Sequence, residues 1–139
     1  MVVTVAKEFR WEMGHRLPYH ETCQNVHGHS YRMVLEAEGE PDGSGMVVDF
    51  GVIADIVKPL VSELDHSFMV DPSDHLMHDL LSRSGLKKTE VPFYSTAENI
   101  AGWILGRVAP VLFESSNVST IRVKLFETVS SCATVETSR

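Results

Sequence analysis

Cysteine is scarce in this 139-residue chain, which carries two, Cys23 and Cys132. They lie far apart and form no CxxC pair, so a reduced, cytoplasmic protein is the expected setting. Long apolar runs are missing as well. None approaches the ~20 residues needed to span a bilayer. The opening MVVTVAKEFRWE lacks the charged start, apolar middle and cleavage site of a secretory signal. Basic residues are outnumbered, 12 Lys and Arg against 19 Asp and Glu, for a net charge of −7. That balance argues against a nucleic-acid partner, because phosphate backbones demand clustered Lys and Arg. A small anionic substrate remains compatible, since Lys7, Arg10, Arg16 and Arg32 fall on or beside the segments that matter below. There is no repeat, low-complexity tract or linker. With 43% hydrophobic and 22% charged residues, the composition is that of an ordinary globular protein. One domain over residues 1–139, with a sizeable core and no membrane span, is expected.

Hydrophobic periodicity predicts the elements. Residues 3–15 alternate, with Val3, Val5, Phe9, Trp11 and Met13 on one parity and Glu8, Arg10 and Glu12 on the other, as in a half-buried strand. Residues 27–38 alternate too, through Tyr31, Met33, Leu35 and Ala37. EPDGSG has turn chemistry, and MVVDF (46–50) reads as a short strand. From Asp49, a candidate N-cap, the period becomes helical through Ile53, Ile56, Val57, Leu60 and Leu64. Pro59 is expected to kink or shorten that helix. A second helix is predicted from STAEN, where Ser95 and Glu98 have capping-box spacing, through Ile100, Trp103, Ile104, Val108 and Val111. Residues 74–83 suggest a short extra helix, VPFY (91–94) a short edge strand, and 118–128 a last strand. The order strand, strand, helix, helix, strand predicts an α+β layer, with two main helices covering one face of an antiparallel sheet.

CQNVHGH, residues 23–29, holds the densest chemistry. Side chains two apart on a strand point the same way, so His27 and His29 project together. His15 continues the face of Phe9, Trp11 and Met13. If the two strands form a hairpin, His15 falls opposite His27 and three imidazoles converge. Three neutral histidines without a fourth protein ligand describe a catalytic zinc site with one open position. Hydrogen-bonded surface histidines are the plainer alternative. Cys23 has two readings: a fourth ligand closing a structural site, or a thiol of lowered pKa acting as a base.

Other polar residues need an account. Asp65 and His66, in LDHS, are either a polar helix end or an Asp orienting a proton-exchanging His. Glu127 is in phase with Ile121, Val123 and Leu125, which puts a carboxylate on a buried face; it is a ligand anchor or a solvated strand end. Glu98 reads first as the capping-box acid. His20, His75 and His78 read as surface residues, and Cys132 as an inert thiol in a polar tail.

Together, WEMGH, C-x3-HGHSY, GMVVDF, LDH, STAEN and FET occur in the order and rough spacing of a known group. Over residues 7–128 the chain resembles the 6-pyruvoyl-tetrahydropterin synthase and 6-carboxy-tetrahydropterin synthase superfamily. The resemblance implies a tunnelling fold, in which subunits join four-stranded sheets into a barrel, usually as a hexamer of two stacked trimers. It implies 7,8-dihydroneopterin triphosphate as the substrate class. It further implies zinc held by His15, His27 and His29, Cys23 as base, and Asp65 with His66 as the proton-relay pair. Glu127 would grip the pterin's aminopyrimidine edge, helped by Thr96 and Glu98. Two product chemistries compete. Cys23, three residues from HGH, looks like the bacterial carboxy-forming enzymes of queuosine biosynthesis, which release acetaldehyde and triphosphate. STAEN looks more like the pyruvoyl-forming enzymes, and residues 69–94 are longer than in compact carboxy-forming enzymes. The carboxy-forming reaction is the expectation, with a non-catalytic pterin-binding protein as the reading from another class.

Overall fold

The computed structural model describes residues 1–139. Its elements in chain order are β1 (Val3–His15), β2 (His27–Gly39), α1 (Phe50–Leu64), β3 (Ser67–Val70), α2 (His75–Ser84), β4 (Lys88–Glu90), α3 (Ala97–Glu114), β5 (Val118–Phe126) and β6 (Cys132–Ser138). The predicted hairpin is present: β1 and β2 pair antiparallel from Val3 opposite Gly39 to His15 opposite His27.

The sheet departs from the expected four antiparallel strands. It has six, in the order β4-β3-β1-β2-β5-β6. Both β3 beside β1 and β4 beside β3 run parallel, so the sheet is mixed. The extra strands are only three to seven residues long, β3 largely buried and β6 exposed along one side, too short for alternation to stand out. The polar tail holding Cys132 is therefore an ordered edge strand, paired with β5 along its length. MVVDF is not a strand; its two valines are buried in the approach to α1, and Asp49 caps that helix by accepting from the Gly51 amide. VPFY is not a strand either, since the edge pairing is made by Lys88–Glu90 just before it.

Helix α1 runs unbroken through Pro59. Pro59 and Asp55, whose carbonyl loses its partner, both lie on the exposed side, where solvent can satisfy the freed carbonyl. The second main helix starts one residue later than expected. Its N-cap is Thr96, whose hydroxyl accepts from the Asn99 amide, and not Ser95. Helices α1 and α3 cover one face of the sheet, as predicted. Ile53, Leu64, Ile100 and Ile104 pack there against Met33, Leu35 and Leu125 in the main core. Full burial of each such side chain contributes roughly 1.5–3 kcal/mol.

The short extra helix is also present, but on the other face. Met77 and Leu81 of α2 pack on Val70 and Phe68, apart from the main core. Gly14 permits this: a Cβ there would stand 3.1 Å from the Phe68 ring. Gly85 closes α2 in the left-handed conformation, φ 71°.

Candidate active site

The register that sets His15 opposite His27 also sets Met13 opposite His29. Strand parity turns all three imidazoles to the helix-covered face, and their ring centroids lie 4.7–5.1 Å apart. Each offers a ring nitrogen within 4.8 Å of the others. Two of the three second nitrogens are committed, while His29 turns its Nε2 to within 3.2 Å of His15 Nε2. Nδ1 of His15 lies 2.8 Å from the Ser95 carbonyl and 3.0 Å from its hydroxyl. Nδ1 of His27 lies 2.7 Å from the Asn25 carbonyl. A carbonyl only accepts, so both rings carry a proton on Nδ1, which leaves Nε2 as the nitrogen able to offer a lone pair inward.

His15 is buried, and that burial pushes its pKa down to about 4; the neighbouring His27 and His29 push the same way. Burial, then His27, also lowers His29. Three convergent imidazoles, two of them oriented through Nδ1, are the kind of donor set that a divalent ion requires. The cluster can hold a metal.

Glu127, just past β5, places Oε1 3.9 Å from His15 Nε2. Burial raises its pKa, and the neighbouring Glu98 carboxylate raises it further. The expected buried-face carboxylate therefore lies at the histidine cluster. Glu98 has no capping-box role: with Thr96 as N-cap it is simply the acidic residue of the first turn, exposed near Glu127. Thr96 spends its hydroxyl on the cap. Beneath the cluster, Tyr31 is buried with its ring edge-on to His29 at 5.5 Å. Its hydroxyl faces Glu127 without a hydrogen bond of good geometry, and burial followed by the Glu127 charge raises its pKa.

The remaining candidates are less gathered. Cys23 is half-buried in the loop between the two strands that carry the histidines. Asp65 and His66 sit beside β1. Asp65 accepts from the Glu12 amide at 2.9 Å, and the His66 amide donates to the Glu12 carbonyl at 2.6 Å. Asp65 also holds Nδ1 of His66 at 3.0 Å, and the Glu12 bond, then His66, keeps its carboxyl below the usual range. His66 has φ 59°, a left-handed conformation unusual for a side-chain-bearing residue, and its ring is exposed. It lines a groove with Glu12, Phe68, Met77 and Leu80 on the α2 face. The pair and the histidine cluster thus occupy opposite faces of one protomer.

Sequence reasoning missed three participants. Ser95 orients His15, although 80 residues separate them. Tyr31 shares the parity of His27 and His29, which was a usable signal. His20, read as a plain surface residue, makes specific bonds to the Cys23 loop.

A family profile described as PTPS, 6-pyruvoyl tetrahydropterin synthase, matches residues 4–138. The chain belongs to the 6-pyruvoyl tetrahydropterin synthase family. Among its relatives are proteins named 6-carboxy-5,6,7,8-tetrahydropterin synthase from Haemophilus influenzae and Rickettsia bellii. The first is 35% identical, covering 91% of this chain and 94% of that relative. The second is 36% identical, covering 91% and 95%. A 6-pyruvoyl tetrahydropterin synthase from Plasmodium vivax superposes with a TM-score of 0.80 at 22% identity, over 100% of this chain and 99% of that one. An uncharacterized protein from Wolinella succinogenes gives 0.80 at 26% identity, over 97% and 98%. The fold is the tunnelling fold, and the chain is a lyase-type enzyme of the pterin synthase family. No helix is long and apolar enough to cross a membrane.

Proposed function

We propose that this protein is a zinc-dependent 6-carboxy-5,6,7,8-tetrahydropterin synthase. It converts 7,8-dihydroneopterin triphosphate to the 6-carboxy product with release of acetaldehyde and triphosphate, a step toward queuosine. The observation that carries the reading is the pairing of a three-histidine donor set with a half-buried carboxylate 3.9 Å away. The names of relatives at 35% and 36% identity favour the carboxy-forming product.

His15, His27 and His29 would hold the zinc, which when bound acts as a Lewis acid toward a side-chain oxygen of the substrate. Glu127 grips the aminopyrimidine edge, where a carboxylate facing two N–H donors forms paired bonds. Glu98 and Thr96, at the start of α3, close that side. Cys23 takes a proton from the substrate side chain as a thiolate base. His66, held by Asp65, exchanges protons with the reacting groups. Because His66 faces the α2 groove of its own protomer, on the face away from the histidine cluster, its partner thiol would come from a neighbouring subunit. The active enzyme would accordingly be an oligomer, and the family resemblance implies a hexamer of two trimers whose sheets close into a barrel.

Turnover of 7,8-dihydroneopterin triphosphate by the zinc-loaded protein, with products separated by mass, tests the proposal. The 6-carboxy pterin with stoichiometric acetaldehyde is expected. A 6-pyruvoyl product without acetaldehyde would move the assignment to the other branch, and absence of turnover would leave a pterin-binding protein.

A further inference from the structure

We propose that His20 is a positioning residue for Cys23, holding the thiol-bearing loop through one ring nitrogen. The inference rests on the reading of Cys23 as the base. No hydrogen bond reaches the Cys23 thiol, so its aim depends on the backbone beneath it. That backbone is tied chiefly to His20. Nδ1 of His20 accepts from the Cys23 amide at 3.0 Å and from the Thr22 amide at 3.2 Å. The His20 carbonyl accepts from the Gln24 amide at 3.0 Å, and the Cys23 carbonyl accepts from the Leu17 amide at 2.7 Å. One imidazole thus serves both the residue before the thiol and the thiol's own amide.

The loop is held at its ends by other groups. Arg16, at its start, grips Asp74 through two 2.7 Å bonds and donates to the Gln24 carbonyl at 3.3 Å. Tyr19 packs edge-on against Tyr94, ring centroids 5.3 Å apart. At the far end the Asn25 carbonyl holds Nδ1 of His27. Cys23 therefore lies on a short span between two histidines of the cluster, and a shift of its amide moves the thiol relative to both. Misplacement by about 1 Å in such a site costs on the order of 10²-fold in rate.

An accepting Nδ1 requires the neutral ring with its proton on Nε2. In that form, Nδ1 stands where the Oδ1 of an asparagine stands, one bond beyond Cγ. Asparagine commonly caps its own backbone two and three residues on in this way. His20→Asn should therefore preserve the two bonds, whereas His20→Ala removes them.

The test compares these variants with wild type and Cys23→Ala, all zinc-loaded, for zinc content, kcat and KM with 7,8-dihydroneopterin triphosphate. His20→Ala should keep its zinc, keep KM within about threefold and lose kcat by about 10- to 100-fold. His20→Asn should recover most of that loss. Hydrogen exchange at the Cys23 amide, which needs no substrate, should be faster in His20→Ala and near wild type in His20→Asn. Unchanged turnover and exchange in His20→Ala overturn the proposal. Equal losses in both variants overturn it too, since asparagine keeps the cap but carries no proton. If Cys23→Ala turns over normally, the reading of Cys23 as base fails, and the exchange data alone then decide whether His20 organises the loop.

Discussion

Glu127 lies past the last residue of β5 yet is half-buried, because the strand parity that buries Ile121, Val123 and Leu125 continues through it. Burial, with the Glu98 carboxylate beside it, raises its pKa, a cost to the charged form that a pterin's N–H groups would relieve. Glu127→Gln keeps the shape but sets an N–H against the ligand's own donors. We expect a loss of ~2–4 kcal/mol in binding sepiapterin or biopterin, roughly 30- to 1000-fold in affinity, with zinc content unchanged. Calorimetric titration measures it, and equal binding by both proteins would reduce Glu127 to a solvated strand end. For His15 the same burial acts in the opposite direction, favouring the neutral ring. Folded, it stays neutral down to about pH 4; unfolded, it takes its proton near 6.5. Between those values the unfolded chain binds more protons, so this contribution to stability is complete above 6.5 and is lost as the pH falls toward 4. The full effect is at most about 3 kcal/mol. Urea unfolding of the chelator-treated protein at pH 7 and near pH 4.5 should show a steeper decline in wild type than in His15→Asn. Parallel declines would mean that other groups carry the pH dependence.

At the scale of elements, the long, strongly periodic segments were legible. The two 13-residue strands and the helices beginning near Asp49 and Ser95 all appear where alternation or helical spacing put them. Short elements were not. Three-residue β4 exists because β3 offers it an edge, and no local pattern in KTE announces that. The N-cap fell to Thr96 because the Ser95 hydroxyl is turned to His15, a partner distant in sequence. Asp74 shows how an element is tied to the site. It accepts two bonds from Arg16 and caps α2 at the Met77 amide, and the Arg16 guanidinium holds its carboxyl below the usual range. Asp74→Ala should strand a largely buried guanidinium and uncap the helix, destabilising the protein by about 2–4 kcal/mol. Urea denaturation gives the total, and hydrogen exchange should show α2 and the 16–26 loop loosening first. A change below about 0.5 kcal/mol, the range of ordinary surface substitutions, would refute that coupling.

For the whole molecule, the six-stranded sheet ends in two open edges, β4 and β6, and beside β3 lies an apolar groove of about 590 Å³ lined partly by the exposed Val26, Leu80 and Leu86. Open edges and an apolar groove are features that association removes from solvent. Sedimentation at micromolar concentration should therefore give a multiple of one chain, and a stable monomer would rule out an active site shared between subunits. The sequence by itself determined the two long strands, the helix stripes and, given a hairpin, the convergence of His15, His27 and His29, because strand parity and a sustained 3.6-residue period are properties of one segment. It also put Glu127 in phase with the buried face, and the structure decided between an inward carboxylate and a solvated strand end. Only the tertiary structure decided that the sheet is mixed and six-stranded, that α2 covers the opposite face, and that Asp65 and His66 stand apart from the histidine cluster. Each of these depends on contacts between residues tens of positions apart, such as Phe68 over Gly14 or the Glu12 backbone against Asp65. No periodicity within one segment encodes which distant surface that segment will meet.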